Sequence, residues 1–197
     1  MKAPFPIYLD LAGRICALIG AGAFMDEKRE TLAAAGATVR DFTADNTQFD
    51  GVFLAISGLN DPTANAALRA EAHRHGALFN ALDDPANCDF YLPAVHRQGD
   101  LVVALSTNGH CPALAVRLKQ QLAGLIGPEY AGFLQFARDI RPRIRNSGRP
   151  FSERRRIWYR LVDSPALDLL RQDREVEARA LIERILAEEL MAAEVAL

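Results

Sequence analysis

The sequence predicts an α/β protein: a parallel sheet with crossover helices in the first half, then a small mixed segment, then a helical C-terminal region. Three observations carry this reading. Short apolar runs of strand length alternate with helical stretches from residue 14 to residue 82. A glycine closes the first helical stretch where a C-cap is expected. From residue 129 onward only helical periodicity remains.

The elements follow in order. Residues 14–20, RICALIG, read as a short buried strand. Gly20 and Gly22 then open a helical stretch from Asp26 to Ala35, stopped at Gly36. ATVRDF (37–42) reads as a second strand and GVFLAIS (51–57) as a third. The link between them, TADNTQFD (43–50), is too short and too polar for a full crossover helix, so the sheet is expected to lack a standard element there. Asp61-Pro62 starts a helix that runs to about His75, and ALFNAL (77–82) is the next strand. After Asp83-Asp84-Pro85 the pattern changes. LVVALST (101–107) reads as a strand, and CPALAVRLKQQLAGLIG (111–127) as a helix ended by Gly127-Pro128. Helical segments beyond it are expected to break at Pro142, at Asn146 to Pro150 and at Ser164-Pro165. The last segment, 168–195, repeats Leu, Val and Ile at three- and four-residue spacing between charges, the pattern of an amphipathic helix. The expected parts are residues 1–92, 93–127 and 128–197.

Bulk properties exclude several classes. The 197 residues leave room for a nucleotide-binding unit plus smaller appendages. A formal net charge of -2 gives no general attraction to nucleic acid or to a membrane surface. The apolar runs are far shorter than the roughly 20 residues needed to span a bilayer. The opening MKAPFPIYLDL has no long apolar core and an early acid at Asp10, unlike a signal peptide. Cys16, Cys88 and Cys111 are scattered without paired spacing, which fits neither a disulfide framework nor a zinc site. A reducing cytoplasm is the expected compartment, and no resident metal is expected.

Gly20-Ala21-Gly22 follows a strand and precedes a helix. Glycines there allow a tight turn and let the backbone approach a pyrophosphate, whose charge sits at the helix N-terminus. With Ala23 and Phe24 they form the candidate cofactor loop of a Rossmann-like unit. Met25 stands where the fingerprint wants a small residue. Asp41, at the end of the second strand and about 20 residues beyond the loop, suits a ribose 2′-hydroxyl and disfavours the 2′-phosphate of NADP. Ser57, closing the third strand, completes the expected cofactor set. The alternative is a plain strand-to-helix turn with no ligand.

Other candidates each have a bland reading. Asp83 is ordinary turn chemistry after a strand, or a catalytic carboxylate. His110 and Cys111 sit together at a helix start, which fits a helix-start role better than a metal site. His96 reads as a surface residue, and His73 and His75 as solvated on a polar helix face. Nine arginines fall between Arg138 and Arg160. They are a solvated helical surface, or an electropositive wall for a polyanion, mainly through Arg141, Arg143 and Arg145. Nucleic acid is the weakest reading, because only Trp158 and Tyr159 lie nearby to stack on bases.

Three stretches then name a family. They are FPIYLDLAGR before the first strand, FNALDDPANCDFYLPAVHRQGDLVVALSTNGHCPALAVRLK in the middle, and ERRRIWYRLV near the end. In this order they resemble the siroheme synthase N-terminal family, the NAD-dependent precorrin-2 dehydrogenases. Asn80, Asp83, Phe90, Pro93, Ser106, Gly109 and Pro112 match the family pattern in register. The resemblance implies a Rossmann unit, an interlocking dimerisation segment (93–127) and a helical C-terminal region. It implies oxidation of precorrin-2 to sirohydrochlorin with NAD. In bifunctional members, metal insertion follows, with Fe2+ or Co2+ as the substrate ion. Asp83 matches the family's proton-accepting aspartate. Thr107 corresponds to a family serine, with Ser106 just before it, and Lys28 to a lysine of the first helix. Ser106, Thr107, Asn108, Gly109 and His110 are the implied substrate turn. A homodimer is implied too, and the strand at 101–107 needs a partner to bury its apolar face.

The sequence departs from the family in four places. The strand and helix that usually precede the strand at 51–57 are missing, which shrinks the adenine side of the NAD site. Leu59 and Asn60 stand where the family tends to have Thr-Asp. Asn108 replaces the first glycine of a Gly-Gly pair, and Met25 replaces a small residue. Two further readings therefore stand beside the dehydrogenase: a chelatase with a weakened NAD site, and a non-catalytic tetrapyrrole-binding protein. The methyltransferase domain of fused siroheme synthases is absent from this sequence, so methylation is expected to occur elsewhere.

Overall fold

The computed structural model describes residues 4–191. It divides the chain into two compact units, Met1–Leu92 and Pro93–Leu197.

The first unit is a parallel four-stranded sheet with helices on both faces. Its elements are β1 (Ile15–Ile19), α1 (Ala23–Ala34), β2 (Thr38–Phe42), β3 (Val52–Ser57), α2 (Pro62–Arg74) and β4 (Leu78–Ala81), in the sheet order β2-β1-β3-β4. β1 is central, and Cys16 to Ile19 are fully buried. Its side chains alternate between two cores, as the two-residue period of a strand requires. Ala17 and Ile19 join Ala55, Leu68, Ala72 and Phe79. Cys16 and Leu18 join Met25, Leu32, Leu54 and Ile56 on the other face. Burial on both faces is why these strands read as continuous apolar runs. The link between β2 and β3 holds only the short turn Ala44–Asn46, so β2 is left as an edge strand. As residues 43–50 suggested, no full crossover helix lies between β2 and β3.

The second unit opens with an antiparallel hairpin, β5 (Ala94–Gln98) and β6 (Leu101–Leu105), followed by α3 (Pro112–Leu125), α4 (Pro128–Arg145), α5 (Phe151–Val162), α6 (Ala166–Arg171) and α7 (Glu175–Met191). Its core is built from Phe133, Phe136, Ile140 and Ile144 of α4, Ile157 and Leu161 of α5, and Ile182, Ile185 and Leu186 of α7. No described helix is long and apolar enough to cross a membrane.

Several expectations need correction. α1 begins at Ala23 rather than Asp26, because the Asp26 amide already donates to the Gly22 carbonyl at 3.1 Å. β5 was not expected. Its residues mix polar and apolar on both faces, and β6 finds its strand partner there, within the same chain. Pro142 does not break α4. Its ring faces solvent while Ile140 and Ile144, on either side of it, are anchored in the core, and this burial offsets the lost backbone hydrogen bond. The last helix is two, α6 and α7. Asp173 adopts a left-handed conformation (φ 58°), and the Arg174 amide turns back to the Leu169 carbonyl at 2.9 Å, which closes α6. Residues 192–195 of the expected helix lie outside the described residues.

Candidate functional site

The C-terminal edge of the parallel sheet is where such folds bind ligands, at the point where strand order reverses on either side of β1. Gly20 to Phe24 lie there after β1, Asp41 at the end of β2, Ser57 at the end of β3, and Asp83 two residues beyond β4. The fold thus brings the candidates of the first unit to one edge.

The glycine loop fits a pyrophosphate. Gly22 is the N-cap of α1 with φ 121°, and no side chain caps the helix. The first-turn amides are therefore left to an external acceptor. Ala21, Gly22, Ala23 and Phe24 are all exposed. Met25, which stands at the position of a small fingerprint residue, is buried instead. Gly58 makes room for it. A Cβ at Gly58 would lie 2.8 Å from the Met25 sulfur, so the space a small residue would leave is regained by a glycine on a neighbouring strand end. Lys28 stays within its own helix face, paired with Glu27 at 3.0 Å and set 4.4 Å over the Phe24 ring.

Two cofactor expectations change. Asp41 is not a free carboxylate. Arg29 donates to it from Nη2 at 2.7 Å and Nε at 3.2 Å, and also holds Asp26 at 2.6 Å. These hydrogen bonds drive the Arg29 guanidinium further above its usual range. Asp41 therefore does not repel a 2′-phosphate as a bare acid would. Ser57 does not offer its side chain to the sheet edge. It is fully buried, and its hydroxyl donates to Asn65 at 2.7 Å.

That hydroxyl starts a chain that separates the two acids after β4. Asn65, 1 % exposed, donates to the Leu59 carbonyl and to Asp84, each at 3.2 Å. Asn87 donates to the same Asp84 oxygen at 2.7 Å. Asp84 is thus a structural carboxylate. Asp83 is exposed, sits at φ 56°, and has no partner among the described residues. A non-glycine residue at positive φ is uncommon and marks strain that the surroundings must hold. The surroundings are the Asn65 chain on one side and Asp89 on the other. The Asp89 carboxylate accepts from the Phe79 amide at 2.9 Å and pairs with Arg69 at 2.6 Å and His73 at 2.7 Å. His73 is therefore a hydrogen-bond partner of Asp89 rather than merely solvated. His75 likewise reaches Glu71 and Asp50. Sequence reasoning missed Asn65 and Asp89, whose partners are scattered along the chain.

In the second unit the turn from Ser106 to His110 precedes α3. The Ser106 hydroxyl accepts from the Asn108 amide at 3.1 Å, and the Thr107 hydroxyl accepts from the Cys111 amide at 3.2 Å. Asn108 and Gly109 are both left-handed, with φ 53° and 77°. Asparagine tolerates that conformation better than most residues, which accounts for its standing in for a glycine. His110 and Cys111 are exposed, and no group of three or more metal-ligating side chains occurs among the described residues. His96 is half-buried and pairs with the Ile126 carbonyl at 3.1 Å, tying the hairpin to the end of α3. Arg141 and Arg145 line a cleft of about 530 Å³ between α4 and α5. Arg143 does not. It pairs with Glu183 of α7 at 2.7 Å.

Comparison with known proteins gives both units relatives. Residues 7–94 match a family described as "Putative NAD(P)-binding". Residues 129–186 match the sirohaem synthase dimerisation region, which starts beyond the 93–127 stretch given that role from sequence. The siroheme synthase of Methylococcus capsulatus is 31% identical over 93% of this chain and 42% of its own length. That of Azotobacter vinelandii is 29% identical over 92% and 44% respectively. The chain spans less than half the length of these curated relatives. A solved structure titled "SirC, precorrin-2 dehydrogenase" shares the fold, with a TM-score of 0.69 at 20% identity, covering 91% of this chain and 99% of its own.

Proposed function

We propose, from its place in the siroheme synthase N-terminal family, that this chain is a precorrin-2 dehydrogenase using a nicotinamide dinucleotide. One observation carries the reading. An uncapped helix N-terminus behind a Gly-Ala-Gly loop shares a sheet edge with Asp83, the acid after β4 that has no partner among the described residues. The loop amides would hold the pyrophosphate, and the bound dinucleotide would supply the hydride acceptor. The macrocycle loses two hydrogens, one as hydride and one as a proton. Asp83 takes the proton. It is suited to this because Asp84 beside it is already spent on Asn65 and Asn87. The turn from Ser106 to His110 is the substrate-facing turn of this proposal, and a homodimer in the cytoplasm is the working form.

A chelatase is the second reading, favoured by the Arg29 clamp on Asp41 and the shortened sheet, both of which thin the adenosine side of the site. There the same Asp83 would take protons from pyrrole nitrogens as Fe2+ or Co2+ enters. Anaerobic turnover of precorrin-2, followed by absorbance, separates the two. Sirohydrochlorin formation that needs NAD and drops at least a hundredfold in Asp83→Asn supports the dehydrogenase, general-base catalysis being worth about 10²–10⁴. Metal insertion into supplied sirohydrochlorin without any oxidation moves the assignment to the chelatase. Bound tetrapyrrole with no turnover in either assay leaves a carrier.

A further inference from the structure

The arginines between Arg138 and Arg160 divide cleanly by partner. Arg138 pairs with Asp100, Arg143 with Glu183, Arg149 with Glu153, Arg156 with Glu189, and Arg160 with Glu188 and Glu189. The other four, Arg141, Arg145, Arg154 and Arg155, have no carboxylate partner among the described residues. All four line the one cleft between α4 and α5. Arg145 reaches the Asn146 side chain, Arg154 a backbone carbonyl, and Arg155 the face of Tyr159 at 5.3 Å.

The cleft has three aromatic rings and no acidic residue in its lining. Phe151, Trp158 and Tyr159 line it, with Phe151 73% and Tyr159 54% exposed. The last turn of a helix favours cations, which explains Arg145 at the end of α4. It does not explain Arg154 and Arg155, which lie inside α5. Four guanidiniums left unneutralised beside exposed aromatic surface call for a ligand that is both anionic and flat. Each guanidinium can take a carboxylate bidentately, and the rings can take an apolar face. The volume lies within the range of small-molecule sites.

We propose that this cleft binds the rim of a polycarboxylate macrocycle, with Arg141, Arg145, Arg154 and Arg155 taking its carboxylates and Trp158 and Tyr159 its ring edge. The chemical class of the ligand rests on the function proposed above; the anion site itself rests on the arginines.

Trp158 is the single tryptophan of the chain, so the cleft carries its own reporter. Uroporphyrin, a stable polycarboxylate macrocycle, is titrated into the full-length protein while Trp158 fluorescence is followed. Saturable quenching is expected. Arg141→Gln/Arg155→Gln should weaken it at least tenfold, and added salt should weaken it in the wild type. Circular dichroism of the double variant checks that the helices remain. Unchanged affinity in a folded double variant overturns the proposal. So does a double variant that loses self-association in sedimentation while binding the macrocycle normally, because a second copy then covers this face. Precorrin-2 turnover is measured in parallel. Arginine-dependent binding without turnover in the wild type leaves the anion site standing and removes the dehydrogenase. Turnover with arginine-independent binding does the reverse.

Discussion

At the scale of single residues, the acid that sequence spacing assigned to a ribose is already spoken for. With Arg29 on both oxygens of Asp41, a ribose hydroxyl must compete with a guanidinium, while a 2′-phosphate would find that guanidinium within reach. Wild-type protein is therefore expected to bind NADH and NADPH within about tenfold of each other. Arg29→Ala should bare the carboxylate and shift the ratio toward NADH by roughly another tenfold, a charge-assisted hydrogen bond being worth about 1.5–3 kcal/mol. Fluorescence titration of the two reduced dinucleotides measures both. An unchanged ratio in the variant removes Arg29 and Asp41 from the ribose site. Gly58 makes a second case. Its substitution by Ala drives a Cβ into the buried Met25 sulfur and should cost about 1–3 kcal/mol, read as a lower urea midpoint. The sequence shows Met25 as an irregularity in a glycine motif. It does not show the compensation, because the two residues meet only when β1 and β3 pair.

Among elements, what was legible is what repeats. β1, β3 and β4 are buried on both faces and read as apolar runs, and α2 is announced by Asp61, whose carboxylate caps Thr63 and Ala64 as its place before Pro62 suggests. β5 was hidden because its five residues, AVHRQ, mix polar and apolar on both faces and none is fully buried. Pro142 was misleading because two isoleucines of the core outweigh one missing amide. The loop after β4 was legible as a turn, but not as a clamped turn, since its clamps come from α2. This clamp can be tested by acid. Burial by itself would raise the Asp89 carboxyl, but the hydrogen bonds from His73, Arg69 and the Phe79 amide outweigh it and hold the group below its usual 3.8. A depressed acid contributes stability that is complete above its unfolded pKa and is lost as the pH falls through the lower folded value. The first unit should therefore hold down to about pH 4 and weaken below it. Asp89→Asn should remove roughly 2 kcal/mol at neutral pH and flatten that acid dependence. Denaturant curves at a series of pH values read both effects. A variant with wild-type stability at pH 7 would mean that the loop carrying Asp83 is held elsewhere.

For the whole molecule, each unit has its own core. The sheet buries its side chains between α1 and α2, and the helical unit buries those of α4, α5 and α7 among themselves. Each unit also contains a reporter the other lacks. Cys16 lies fully buried on β1, where burial pushes its thiol pKa up, so it reacts with a thiol reagent only when the sheet opens. Trp158 packs on the helical core. Cys111 is exposed and reacts at once, which gives the labelling an internal standard. Opening free energies differ between contiguous cooperative parts of a structure, so a strain confined to one core should be read by one reporter. Gly58→Ala is the strain to use. It should lower the urea midpoint for Cys16 labelling and weaken dinucleotide binding, while the Trp158 unfolding curve and macrocycle quenching stay at their wild-type values. A common shift of both reporters would show that the two cores unfold as one, and the macrocycle site would then depend on the integrity of the sheet as much as on its own arginines.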